Sequence, residues 1–274
     1  MSARIALADA VRIERIETLA WLDQHAAAPA TAIAALGLRS RGLGATALLA
    51  ADRSDSLLNN RAIGVGVLEA ATPELLDAVE AHYAPSPQGF AINLCPLAEP
   101  NDVSQELARR GFQTWFHHVK WVRGVSAPPM GAHELRVSRV TAADAEQFAE
   151  VQHDDDAPER AAQMEWTVAC VGRPGWTHLL AWGGDEPVAG AAVFVHQDTA
   201  WLGHARTRES SRRLGAQQAL LAERIRVAAA AGATLLTTET APDWPDLPRE
   251  SLRNVGRAGF RIAYERPSWI RFAR

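Results

Sequence analysis

The sequence predicts an α/β (α+β) protein built from two related domains. Three observations lead there. Residues 134–273 alternate strand-like and helix-like segments in a regular order. Residues 111–123 and 259–271 resemble one another at a spacing of 148 residues. A small Pro/Gly-rich stretch, 124–132, lacks periodicity and separates the halves. The expected domains are 1–125 and 134–274, joined by a linker at 126–133.

The second half reads most clearly. Residues 135–140 alternate and predict a first strand. Thr141 is a candidate N-cap for a helix running to about Val151. A second helix is expected over 158–171, ended by Gly172. Residues 176–182 predict a strand, 183–187 a hairpin turn, and the apolar run 188–195 a strand buried on both faces. Another strand follows over 200–204. A helix is expected over 219–231, stopped at Gly232, then a strand over 234–239, a helix over 249–257 and a closing pair of strands. The first half reads less clearly. Strands are expected at 45–51, 62–68 and 89–94, and helices at 72–82, with Thr72 as N-cap, and 102–110. A pair of strands at 111–123 ends it.

The repeat rests on five identities: Arg109/Arg257, Gly111/Gly259, Phe112/Phe260, Trp121/Trp269 and Arg123/Arg271. They predict a duplicated unit. Two helix–Gly–strand endings can also coincide, because glycine after a helix is common.

Composition narrows the function classes. The chain has 274 residues, 47% hydrophobic and 22% charged, as a folded domain protein does. A net charge of −4 argues against a nucleic-acid binder. No apolar run is long enough to span a bilayer, and Asp9, Arg12 and Glu14 interrupt any signal-peptide core. Cys95 and Cys170 lie far apart in apolar surroundings and suggest reduced thiols, hence a cytoplasmic protein.

The strongest chemical signal is Arg212-Arg213-Leu214-Gly215-Ala216-Gln217, between a strand and a helix start. A helix N-terminus offers unpaired N–H groups and a favourable dipole, glycine allows close approach, and arginine adds fork-shaped donors. The other reading of these residues is an ordinary surface helix with Ser210 or Ser211 as N-cap. The stretch resembles the acyl-CoA pyrophosphate loop of the GNAT superfamily of N-acyltransferases. That pattern is Arg or Gln, two residues, Gly, one residue, then Gly or Ala. Arg212 and Gly215 fit it, and Gln217 departs from it. The element order of 134–273 and the place of the loop in it are similar to the family's.

The resemblance implies two GNAT-like domains, each a mixed, mostly antiparallel sheet flanked by helices, the first without an acyl-CoA loop. It implies acetyl-CoA as co-substrate and a small amine as acceptor. Ala205, Arg206 and Thr207 would line the cleft where two strands splay. Arg212, Arg213, Leu214, Gly215, Ala216, Gln217 and Gln218 would hold the diphosphate, with Asn254 near the thiol end. In the family, strand N–H groups in the cleft polarise the thioester carbonyl, here around 203–206.

Glu239 is the first candidate base, since it ends a strand beside the expected cleft; the alternative is a carboxylate paired with an arginine. His204 is second, with a half-buried, hydrogen-bonded histidine as its alternative. The family's usual tyrosine acid falls on Val255, leaving Ser251 and Asn254 as polar neighbours. His153 with the acidic run 154–156 suggests a solvated turn, or an attraction for a cationic acceptor, rather than a metal site. Trp244 lines a pocket or packs. No metal, nucleic-acid or membrane partner is expected, and the protein is a monomer or homodimer. The competing reading is a non-catalytic acyl-CoA-binding or structural tandem protein; transfer to a hydroxyl is a third.

Overall fold

The computed structural model describes residues 5–54, 59–127, 135–153, 159–242 and 249–273. Residues 128–133 of the expected linker 126–133, the helix start at Pro158, the acidic run 154–156 and Trp244 lie outside them. Two compact units form: residues 1–120 with 263–274, and residues 121–262. Both have mixed, largely antiparallel sheets with helices against them.

Unit 1 opens with α1 (Leu7–Ala26) and α2 (Ala30–Leu36), followed by β1 (Leu38–Leu43), β2 (Thr46–Ala51) and β3 (Arg61–Ile63). Then come α3 (Pro73–Tyr83), β4 (Gly89–Asn93), α4 (Val103–Arg109) and β5 (Gln113–Arg123). Unit 2 contains β6 (Arg136–Arg139), α5 (Ala145–Gln152), α6 (Arg160–Cys170), β7 (Trp176–Gly183), β8 (Glu186–His196) and β9 (Thr199–Thr207). It continues with α7 (Ala216–Ala230), β10 (Leu235–Thr240) and α8 (Glu250–Arg257), and the chain ends in β11 (Arg261–Phe272).

In unit 1 the strands run β1-β2-β3-β4-β11-β5. β3 and β4 pair in parallel, while β1–β2, β2–β3 and β4–β11 are antiparallel. Leu76, Val79 and Leu107 pack with Leu48, Phe90 and Ile92 on one face. Trp21 and Leu22 of α1 cover Ala47, Leu49 and Ile63 on the other. In unit 2 the order is β10-β9-β8-β7-β6, antiparallel except for the parallel pair β9 and β10. Leu220 and Ala216 of α7 pack on Leu179, Ala181 and Ala191. Phe148 and Val151 of α5 pack on Leu180 and Trp182. The strand alternation of β7 thus feeds both layers. Thr141 and Asp144 form the capping box that starts this helical segment.

Several expectations need correction. Residues 111–123 and 259–271 each hold one long strand, not a pair. Pro267 lacks an N–H, yet its carbonyl accepts from Leu94 N at 2.9 Å, so β11 runs through it. The strand expected over 62–68 stops at Ile63, and Gly64-Val65-Gly66 follows it rather than lying inside it. Gly64 and Gly66 take φ of 91° and 80°, and Gly64 O accepts from Val67 N and Leu68 N. α1 escaped the sequence reading because its inner face carries Glu14 and Glu17, which break the apolar stripe. The final strand, expected with the second domain, belongs to the first compact unit.

That last placement explains the repeat. In unit 2, Arg123 donates from Nη1 to Ala258 O and lies over the Phe260 ring at 5.6 Å. In unit 1, Arg271 donates from Nη1 to Arg110 O at 3.3 Å and lies over Phe112 at 4.8 Å. Each arginine, on the end strand of one half, binds the helix end and the phenylalanine that follow in the other half's sequence. Gly111 and Gly259 adopt φ of 85° and 84° between them. Helix C-termini leave carbonyls without partners, and a guanidinium satisfies them.

Unit 1 also buries a charge network. Arg266 bonds Glu14 Oε2 at 2.9 Å and Glu17 at 2.7 and 2.9 Å, and Lys120 bonds Glu17 Oε2 at 2.7 Å. Tyr264 donates to Glu14 Oε1 at 2.7 Å. The four charged side chains are fully buried.

In unit 2, burial holds His178 down to about 4, well below its ordinary 6.5. Its ring stacks on Trp176 at 5.5 Å and meets Phe148 edge-on at 5.0 Å. The folded state therefore keeps His178 neutral at pH values where the unfolded chain protonates it. Stability is intact above about pH 6.5 and falls as pH drops toward 4, by about 1.4 kcal/mol per pH unit for this group. His178→Phe keeps the ring packing, so thermal unfolding followed between pH 7 and 4 should show a smaller acid loss than wild type. An equal loss would remove His178 as a cause.

Candidate active site

The site grows from an irregularity in β9. Its parallel pairing with β10 runs from Thr199↔Leu235 to Leu202↔Thr238 and stops there. β9 continues to Thr207 and β10 to Thr240, so the two strands part over Gly203–Thr207 and Glu239–Thr240. On its other side β9 shifts register: Ala192 faces Gly203, and Gly190 faces Arg206. His204 and Ala205 thus stand against the single residue Ala191, which is a β-bulge. His204 takes the left-handed φ of 49°. The sequence pointed to 203–206, and no residue type in it announced the bulge.

Beyond β9 a 3₁₀ turn spans Glu209–Ser211, which places Ser210 and Ser211 outside the cap of α7. Gly215 is the N-cap instead, at φ 81°, and no side chain caps this end. Its carbonyl accepts from Ala219 N at 3.1 Å, so the helix starts three residues earlier than the sequence suggests. Arg213 also has a positive φ, 71°. Arg212, Arg213 and Leu214 are exposed, and Arg212 reaches Glu209 at 3.1 Å. An uncapped helix start with two exposed arginines before it has the elements of an anion cradle.

Gln217 has a structural use that the pattern did not foresee. It donates from Nε2 to Ser251 Oγ at 3.1 Å and accepts from Asn254 Nδ2, while Gln218 donates to Asn254 O at 2.7 Å. These bonds tie the first turn of α7 to α8, and they bring together four of the singled-out residues. Val255 is buried in the core side of α8.

Glu239 lies one residue past the last rung of β9 and β10, and His204 two residues past it. Both strands run the same way, so both residues stand at the opening. Glu239 is half-buried. His204 packs against Trp201 at 5.4 Å and Trp176 at 5.9 Å. Ala205 is exposed, Thr207 is half-buried, and Arg206 donates to Gln152 O at 3.1 Å. Thr238 Oγ1 donates to Leu202 O at 2.8 Å, at the point of parting. Sequence reasoning missed Thr238, and also Gly203, where a Cβ would meet the Trp201 ring at 2.1 Å.

The matching place in unit 1 is built differently. The turn after β3 folds onto Ala98 and Glu99, where Gly66 O accepts from Glu99 N at 2.6 Å. α3 begins with Pro73, and Thr72 caps it by accepting from Leu75 N at 3.2 Å. No arginine precedes this helix within 64–72.

Solved structures share this architecture. A GCN5-related N-acetyltransferase from Kribbella flavida aligns over 98% of this chain and 96% of its own, with TM-score 0.62 and 17% identity. A tandem GNAT protein from the clavulanic acid biosynthesis pathway aligns over 98% and 97%, with TM-score 0.55 and 14% identity. The chain has the GNAT fold. A GCN5-related N-acetyltransferase from Sphaerobacter thermophilus aligns over 85% and 82%, with TM-score 0.53 and 15% identity. No family model and no curated protein matches the chain. Among the described residues no helix is long and apolar enough to cross a membrane, and no group of His, Cys, Asp or Glu is placed to hold a metal.

Proposed function

We propose that the chain is an acetyl-CoA-dependent N-acetyltransferase that acetylates a small amine in the cytoplasm. The observation that carries this reading is the uncapped start of α7 at Gly215, directly beyond the point where β9 leaves β10. Backbone N–H groups of residues 216–218 and the side chains of Arg212 and Arg213 bind the diphosphate. Backbone at 203–206 polarises the thioester carbonyl, as fixed dipoles do for a developing oxyanion. Glu239, directly or through water, takes the proton from the acceptor amine, with His204 as the alternative base. Ser251 and Asn254, held by Gln217, face the thiol end, where a CoA thiolate leaves without a strong acid. Unit 1, with Thr72 capping α3, contributes no second cofactor site.

A second reading keeps binding and drops turnover: an acyl-CoA-binding tandem protein. The valine at 255, where the family's acid stands, favours it. An amine screen followed by release of the CoA thiol separates the two. Turnover on an amine, lowered at least about 100-fold in Glu239→Gln with acetyl-CoA affinity retained, supports the enzyme and its base. Tight binding without turnover on any amine supports the sensor.

A further inference from the structure

The inner face of α7 is apolar except at one place. Leu220, Leu221, Ile225 and Ala228 are buried, and Arg224 stands among them with 2% of its surface exposed. A buried guanidinium is costly unless it is paired. No carboxylate among the described residues pairs with it. Burial pushes it down to about 9. Its donors go to two backbone carbonyls: Nε to Leu220 O at 3.2 Å and Nη1 to Gly203 O at 3.4 Å.

Gly203 stands where β9 leaves β10 and where its ladder with β8 breaks register. Pairing with β10 ends one residue before it, and pairing with β8 shifts one residue after it. A strand carbonyl at such a break loses its regular donor, and a buried one needs another. Arg224 supplies that donor from the helix below. A leucine would fill the space at less cost, so the charge is explained by the bond it makes rather than by packing.

We propose that Arg224 is a positioning residue for acyl transfer: by clamping the Gly203 carbonyl it holds the bulged backbone of 203–206 in the shape that polarises the thioester. The inference rests on the reading of the β9–β10 opening as the acyl site. Arg224 touches no reacting atom and acts through the strand. A charged donor holds a carbonyl more firmly than a neutral one does.

The test uses the full chain with Arg224→Met and Arg224→Lys. Acetyl-CoA affinity is measured by calorimetry, the infrared carbonyl band of bound acetyl-CoA reports polarisation, and release of the CoA thiol reports turnover. Arg224→Met should bind acetyl-CoA within about threefold of wild type and unfold at the same or a higher temperature. Its carbonyl band should move back toward that of free acetyl-CoA, and kcat should fall about tenfold or more with KM for acetyl-CoA little changed. Arg224→Lys, which keeps the cation with one donor group, should recover part of both. A Met variant with the wild-type band and wild-type kcat overturns the proposal. If that variant does not fold, the Lys variant decides: reduced polarisation at unchanged affinity supports the role, and a wild-type band overturns it. Wild-type protein that binds no acyl-CoA overturns the underlying site reading, a result distinct from either.

Discussion

Gly215→Glu abolishes acetyl-CoA binding. The variant is expected to lose at least about 100-fold in affinity, and two effects combine to do it. Gly215 holds φ 81°, where a Cβ costs about 1–2 kcal/mol, so the loop itself is strained. The new carboxylate also occupies the positive end of α7 and repels the anion that belongs there. Arg212→Ala, by contrast, removes an exposed side chain whose partner Glu209 is also exposed, so fold stability should hardly move. It should weaken binding about tenfold, because one charged donor is lost at the phosphate site. Calorimetric titration of both variants, with circular dichroism to confirm the fold, checks the pair. Wild-type affinity in Gly215→Glu would mean that the anion binds elsewhere.

Glu17→Gln is expected to be the most destabilising single polar change in unit 1. Glu17 is fully buried and bonds both Lys120 and Arg266. Removing its charge leaves two buried cations with one carboxylate, Glu14, between them. Breaking such a network costs about 3–5 kcal/mol, which lowers the unfolding midpoint by on the order of 10 °C in a chain of this size. Thermal unfolding by calorimetry measures it, and a change of under about 2 °C would show that the network is offset by water or rearrangement.

The parts of this architecture that follow from local chemistry were legible. The alternating strands of unit 2, the Thr141 and Thr72 caps and the Gly215 loop each use a side-chain pattern that acts within a few residues. What stayed hidden was long-range. Glu14 and Glu17 make α1 look polar until Lys120 and Arg266, about 100 and 250 residues away, are placed beside them. The repeat at 111–123 and 259–271 was visible, but not that Arg123 and Arg271 reach across to the other half's helix end. The bulge at His204 depends on the register of β8, which no pattern in β9 encodes. Arg224 lies in a helix of alanines and leucines, and nothing in its local sequence marks it as buried. Its role emerges only once Gly203 is found above it. The departure at Gln217 looked like a weakened motif, and it became a bridge to α8 only when Ser251 and Asn254 were in place.

The most direct test of the acyl-CoA site is one calorimetric titration of the wild-type chain with acetyl-CoA, repeated with desulfo-CoA. The expected result is micromolar-range binding of both at one site per chain, because unit 2 has the open start of α7 and unit 1 has Thr72 capping α3. No heat with these or with longer acyl-CoAs would contradict the cofactor site, and two sites per chain would contradict the assignment of unit 1.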